Sequence, residues 1–230
     1  MTQPTDRRAH AERVIQGLKR AYPDAHCELN FTSPFELLVA TILSAQCTDE
    51  RVNQVTADLF RRYRSPADYA RAPQEVLEQE IHSTGFFRQK ARSIRGMADA
   101  LHNRFADTVP RSIDEMVQLP GVARKTANVV LGSAYGIPSG IVVDTHVLRV
   151  SYRLALTDQK QPEKVEQDLM DVVPKDEWIW FSHAMIWHGR RVCFARAPNC
   201  GGCVLNDICP KRGVGVGLQS GGRSRSRRGG

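Results

Sequence analysis

Apolar residues recur at three- and four-residue spacing through FELLVATILSAQ (35–46), ERVNQVTADLFRRY (50–63), RQKARSIRGMADALHNRF (88–105) and VEQDLMDVV (165–173). That period returns side chains to one face of an α-helix, whereas a strand alternates its faces every residue. Breakers fall between the runs at Pro34, Pro66, Pro73, Gly85, Pro110, Pro120, Gly136-Ile137-Pro138 and Pro174. Proline cannot continue a helix interior, so the chain is divided into about ten short helices. The one stretch that could pass for a strand is IVVDTHV, and Asp144 in its middle reads better as the N-cap of a helix running on through THVLRVSYRLAL. The expected fold class is all-α.

The formal charge of +7 points at first sight to a polyanion partner. Lys211, Arg212, Arg223, Arg225, Arg227 and Arg228 account for six of those charges, which leaves 7 − 6 = +1 for residues 1–210. A nucleic-acid reading must therefore rest on local patches and motifs rather than on overall charge. Two patches qualify. Residues 88–104 carry Arg88, Lys90, Arg92, Arg95 and Arg104 against the single acid Asp99, and from Trp178 to Asn206 there are Arg190, Arg191 and Arg196 with no acid. The Gly-, Ser- and Arg-rich segment 211–230 has too few large apolar groups to order itself and is expected to be a flexible basic arm. No run approaches the roughly 20 apolar residues of a membrane span, and MTQPTDRRAHAER lacks a signal-peptide core, so a cytoplasmic protein is expected.

Cys193, Cys200, Cys203 and Cys209 form C-x6-C-x2-C-x5-C within a segment that also holds Pro198, Gly201 and Gly202. Four thiolates in a short loop of this composition bind metal, because a cytosolic chain rarely holds two disulfides there. The spacing alone is compatible with zinc or with an iron–sulfur cluster. A single CxxC pair, where zinc ribbons have two, tilts the balance toward a cluster. Cys27 and Cys47 stand alone and read as small apolar fillers.

LPGVARKTANVV (119–130) sets a Pro-Gly turn inside an otherwise helical segment. Upstream, Ser112 and Glu115 fit a capping box, which predicts a short helix from about Ile113 to Leu119. A second helix should start near Ala123. Two helices joined so tightly leave the first N–H groups of the second unpaired, with the positive end of its dipole behind them, and that arrangement suits a phosphate. Lys125 near such a start is, taken alone, most often a solvated charge.

LPGVARKTANVV resembles the helix-hairpin-helix of the endonuclease III family of DNA base-excision glycosylases, whose pattern is LPGVG followed by K-T-A. The resemblance continues through FELLVATILSAQ-C-TD, VDTHVLRV, HGRRVC and the cysteine array, five motifs in the family's order over roughly residues 30–210. It implies two helical domains flanking a DNA-binding cleft. A six-helix barrel domain over 28–137 would hold the helix-hairpin-helix (about 112–134), and a discontinuous cluster domain would combine 1–27 with 138–210. One [4Fe–4S] cluster per chain would sit on the four cysteines.

By the same resemblance Lys125 is the amine that attacks the sugar C1′, expels the base and forms a Schiff base, after which the 3′ phosphate is eliminated. Asp144 assists its deprotonation and stabilises the cationic sugar, and His146 lines the pocket. Gln46 and Phe86 fill the space left by a flipped base, although Phe86 and Phe87 together also read as helix-packing core. Gly121, Ala123, Arg190, Arg191 and Arg196 would contact DNA. Ala123 stands where the family usually has a second glycine; it is expected to hold an ordinary helical φ, with its methyl close to the phosphate path. The implied activity is a bifunctional glycosylase and lyase removing oxidised pyrimidines from duplex DNA, working as a monomer associated with the bacterial nucleoid. Adenine-specific relatives usually carry a non-lysine residue at the position of Lys125 and a further carboxy-terminal domain, for which this chain leaves no room. The rival readings are such a monofunctional enzyme, a noncatalytic DNA-binding module and an iron–sulfur electron carrier.

Overall fold

Ser33, Ser65 and Ser112 stand in extended backbone, and each accepts a hydrogen bond from an N–H one turn ahead, at Glu36, Asp68 and Glu115. Pro34 and Pro66 directly follow two of these caps. A proline in the first helical position lacks only an N–H that would be unpaired there, so the prolines of this chain start helices as well as end them. The computed structural model describes residues 4–215, with side chains from Asp6. Residues 216–230, most of the expected basic arm, lie outside the described residues.

Among the described residues the structure is all-helical. The α-helices are α1 (Pro4–Ala21), α2 (Pro34–Leu43), α3 (Asp49–Arg62), α4 (Pro66–Arg71), α5 (Gln74–Glu80), α6 (Phe87–Arg104), α7 (Ile113–Met116), α8 (Arg124–Tyr135), α9 (Thr145–Arg153), α10 (Pro162–Val172) and α11 (Trp178–Arg191), with 3-10 turns at His82–Thr84 and Lys175–Glu177. IVVDTHV forms no strand; Ile141, Val142 and Val143 are buried in extended chain that leads into α9.

The chain divides into two compact units. One comprises His26–Val142 and Lys175–His183. Its centre is α2, whose sequence PFELLVATIL is apolar nearly all round and is accordingly buried nearly all round. Around it pack α3, α6 and α8, while α4 and α5 lie against α6. The amphipathic α6 turns Ala91, Ile94, Met97, Ala98 and Leu101 inward.

The other unit comprises residues up to Ala25, Val143–Pro174 and residues from Ala184. Here α1 buries Ala11, Val14, Ile15 and Leu18, one helical face. Arg8 donates to the carbonyl of Asp171 at 2.9 Å near the end of α10, and Nε2 of His10 meets the carbonyl of Leu154 at 2.7 Å, just past α9. Gly17 leaves a slot for the fully buried Leu205: a Cβ there would stand 2.4 Å from its Cδ2. The segment carrying the four cysteines is thereby keyed into α1.

Candidate active site and cysteine loop

The hairpin begins as its sequence suggests and ends sooner. Ser112 caps α7 with the carboxylate of Glu115 in reach of its hydroxyl at 2.7 Å, but α7 stops at Met116 instead of running to Leu119. Leu119 and Val122 are buried and hold the turn from below. Pro120 and Gly121 lie against α6: a Cβ on Gly96 would sit 3.2 Å from Cβ of Pro120, and a Cβ on Gly121 would sit 2.5 Å from Cβ of Ser93. Gly121 has φ +75°, so both its backbone and its neighbour require glycine.

Ala123 departs from the expectation of a helical residue. It is the N-cap of α8, with φ −85° and ψ 166°, an extended conformation open to any L-residue, so the alanine is there without strain. Its side chain cannot accept a hydrogen bond, and no side chain caps α8. The first N–H groups of α8 therefore keep the anion-attracting character of an uncapped helix start. Arg124 and Lys125 occupy the first two helical positions, and both are exposed.

Asp144 is the N-cap of α9. Its Oδ1 accepts from the N–H groups of His146 and Val147, each at 2.8 Å, and Oδ2 takes no part in the cap. The carboxylate is half-buried and held in one orientation by two backbone donors. His146 is half-buried beside it, its Nδ1 3.2 Å from Nη2 of Arg149. Gly189 permits this packing, since a Cβ there would come within 2.8 Å of Cβ of His146.

Arg149 and Arg153, one turn apart on α9, were given no role by the sequence. Arg149 donates to the carbonyls of Cys193 (3.2 Å) and Gly189 (3.0 Å), joining the Asp144 end of α9 to α11 and the cysteine loop. Burial lowers its pKa, the neighbouring Arg153 adds to this, and the Cys193 thiol and Asp144 oppose it. Arg153 is 7% exposed. Its guanidinium donates to the carbonyls of Phe194 (2.7 Å) and Ala195 (2.8 Å), and Nη1 lies 3.2 Å from Sγ of Cys193. The only signal for either residue was their four-residue spacing, which puts them on one helix face; nothing in the string showed that this face turns inward.

Gln46 and Phe86 are both exposed and both left-handed, with φ 54° and 47°. Gln46 lies in the turn beyond α2, which ends at Leu43 rather than reaching Gln46. Phe86 is the N-cap of α6 and stands 66% exposed, the most exposed large apolar side chain among the described residues. Phe87, its neighbour, packs against the core and stacks at 4.4 Å on His82. Of the two phenylalanines, Phe87 is thus the one that packs in the core and Phe86 the one that does not.

The basic patch expected along 88–104 loses one of its five members to the interior. Lys90 is 4% exposed and points inward. Arg95 donates to Gln74 at 3.1 Å, Arg104 to Gln118 at 3.1 Å, and Arg88 lies over the ring of Phe87. Arg190, Arg191 and Arg196 are exposed as expected, and the guanidinium of Arg191 lies 3.8 Å from the centroid of the Trp187 ring.

Cys193, Cys200, Cys203 and Cys209 line one cavity with Arg153, His188 and Leu205. Backbone N–H groups of Leu205 and Lys211 point at Sγ of Cys203 and Cys209, each at 3.4 Å. Burial pushes both of these thiols up, and the other cysteines add to it. His188 is 2% exposed, and burial pushes it down to about 4, which leaves a neutral ring. Its Nδ1 faces the Tyr22 hydroxyl at 3.2 Å and its Nε2 faces Cys203 Sγ at 3.6 Å.

Comparison with known proteins matches residues 39–175 to the HhH-GPD superfamily of base excision DNA repair proteins, and residues 193–209 to the iron–sulfur binding domain of endonuclease III. Endonuclease III of Synechocystis sp. is 50% identical over 89% of this chain and 93% of its own length; that of Bacillus subtilis is 48% identical over 82% and 86%. A solved trapped endonuclease III–DNA covalent intermediate, an estranged-adenine complex, is 46% identical, covers 92% of this chain and 97% of its own, and superposes with a TM-score of 0.86. The cysteine cavity fits the implied [4Fe–4S] group: all four donors line one space, and N–H groups aim at the sulfurs of two of them. A cationic iron core would also remove the penalty that burial places on the thiolates. By sequence, by fold and by its cysteine loop, the chain belongs to the endonuclease III family within the HhH-GPD superfamily.

Proposed function

We propose that the protein is a bifunctional DNA N-glycosylase and abasic-site lyase of base excision repair that acts on oxidised pyrimidines in duplex DNA. The observation that carries this reading is Lys125, exposed at the second position of an uncapped helix that follows a glycine-dependent turn. A phosphate drawn to the positive end of the α8 dipole would bring the sugar of a damaged nucleotide to the Lys125 amine. The relative captured as a covalent DNA intermediate supports an enzyme-bound route.

In this reaction the neutral Nζ of Lys125 forms a bond to C1′ as the C1′–N bond to the base breaks, and the base leaves with the bonding pair. The amine then loses a proton and the ring opens to a Schiff base. Removal of a C2′ proton expels the 3′ phosphate, and water releases the unsaturated sugar from the lysine. Asp144 stabilises the developing positive charge: its Oδ1 is fixed by two backbone N–H groups, while Oδ2 is outside that cap. His146, buttressed by Arg149, keeps this end of α9 in place. Gln46 and Phe86 fill the stack where the base has left, the amide offering hydrogen bonds to the orphaned partner and the ring offering an apolar face.

The cluster on Cys193, Cys200, Cys203 and Cys209 supplies a rigid cross-link of its loop. Arg190, Arg191 and Arg196 are on and beside that loop, exposed, where they would meet DNA phosphates. The protein works as a monomer on chromosomal DNA in the cytoplasm. No helix among the described residues is long and apolar enough to cross a membrane.

The test is borohydride trapping on duplexes that carry one thymine glycol or one abasic site, comparing the native chain with Lys125→Gln. A covalent adduct on both substrates that disappears in the variant supports the assignment. An adduct that survives places the nucleophile elsewhere, and tight binding without any adduct favours a monofunctional glycosylase or a binding protein.

A further inference from the structure

Gln46 and Phe86 stand on separate loops that share one buried cation. Lys90, the fourth residue of α6, donates from Nζ to the carbonyl of Leu43 at 2.7 Å and to the carbonyl of Thr84 at 2.8 Å. Leu43 closes α2 three residues before Gln46, and Thr84 closes the 3-10 turn two residues before Phe86. The backbone N–H of Lys90 also donates to the carbonyl of Phe86 itself at 3.0 Å. Each wedge-bearing loop therefore departs from a carbonyl gripped by the same ammonium group.

The conformation of these loops needs such support. Gln46 and Phe86 occupy the left-handed region without being glycine, and non-glycine residues stay there only where their surroundings over-determine them. Neighbouring Gly85, at φ 71° with nothing near its missing Cβ, gives the Phe86 loop no steric wall of its own. A cation buried against two carbonyls, with no carboxylate among its hydrogen-bond partners, is a weak source of stability. What a lysine in that position does supply is geometry: two directed donors on one nitrogen hold the two carbonyls at a fixed separation. Burial also lowers its pKa, with the Cys47 thiol opposing the shift.

We propose that Lys90 is a positioning residue for base extrusion, locking the Gln46 and Phe86 loops at one spacing so that both side chains enter the duplex together. This rests on the reading of those two residues as wedges. It assigns to a residue of the apparent basic patch a role that involves no contact with DNA.

The experiment is a double-mutant cycle on the full-length, cluster-loaded protein. Lys90→Met is combined with the pair Gln46→Ala/Phe86→Ala, and two quantities are read: single-turnover cleavage at a thymine glycol, and the fluorescence of 2-aminopurine opposite an uncleavable abasic analogue. Lys90→Met alone should slow cleavage by about tenfold or more, the scale of a misplacement near 1 Å, and should suppress the 2-aminopurine response. In the wedge-less background the same substitution should change the rate by less than about twofold. An equal slowing in both backgrounds would mark Lys90 as merely structural and overturn the proposal, as would an intact 2-aminopurine response. If Gln46→Ala/Phe86→Ala by itself leaves rate and fluorescence unchanged, the wedge reading fails first and the clamp with it. Should Lys90→Met not unfold cooperatively, Lys90→Gln, whose amide can still hold one carbonyl, takes its place under the same criteria.

Discussion

Replacing Gly121 with alanine asks whether α6 fixes the place of the hairpin turn. At φ +75° an alanine pays the left-handed penalty of about 1–2 kcal/mol. Its Cβ would also stand 2.5 Å from Cβ of Ser93, 2.7 Å from its Oγ and 3.4 Å from its Cα. A rotamer change can move Oγ aside, but Cβ is fixed by the backbone of α6, so the overlap is relieved only by moving the turn or the helix, at about 1–3 kcal/mol. The total of about 2–5 kcal/mol is a large part of the 5–15 kcal/mol that holds an ordinary domain. Urea unfolding followed by circular dichroism should show a lower midpoint with an unchanged slope. Ser93→Gly isolates the steric part. Alone it costs about 1 kcal/mol as a helix-interior glycine, but it removes both close atoms, so the double variant should recover about 1–3 kcal/mol relative to the sum of the singles. If the two changes add within about 0.5 kcal/mol, the contact with Ser93 does not position the turn and the reasoning is refuted.

Ala123→Gly should stabilise the start of α8 by about 0.5–1 kcal/mol, because glycine caps a helix better than alanine does; binding to an abasic-analogue duplex should tighten, and weaker binding would show that the methyl does not crowd the phosphate. Tyr69 is fully buried and its hydroxyl has no hydrogen-bond partner among the described residues, so Tyr69→Phe should raise stability by about 1 kcal/mol at neutral pH. Burial holds that phenol well above its ordinary 10. Below pH 10 folded and unfolded forms both keep the proton and the phenol adds no pH dependence; as pH rises above 10 the unfolded chain ionises first and folding stability falls. Tyr69→Phe should flatten the alkaline limb of the stability profile, and an unchanged limb would contradict the assignment. Arg153→Met would strip donors from the carbonyls of Phe194 and Ala195 beside Cys193; iron per chain and visible absorbance after anaerobic purification should fall, with faster loss to a chelator, and full iron content would show that the guanidinium does not shape the loop.

The local structure of the hairpin turn, the start of α9 and the cysteine loop was legible because each one pairs a backbone demand with a residue that meets it. Gly121 stands where φ is positive, Asp144 stands where α9 needs two acceptors, and four cysteines share one loop. Helix existence was legible for the same reason, since α2, α3 and α6 follow their apolar period to within a few residues. Helix ends were less so: α2 was expected to reach Gln46 but stops at Leu43, where Lys90 takes its last carbonyl from a residue 47 positions away. Charge was the least legible. Lys90 read as part of a basic surface patch, and Arg149, Arg153 and His188 carried no reading at all, yet all four point inward and hold carbonyls or sulfur. A count of basic residues along α6 therefore overstates its attraction for DNA, because part of that count is spent on the protein's own backbone. The same inversion recurs at the loops of Gln46, Phe86 and Cys193, whose carbonyls accept from inward-pointing basic side chains. Buried cations reach them from neighbouring helices, and their charge is compensated by carbonyl dipoles that would otherwise be unpaired in the interior.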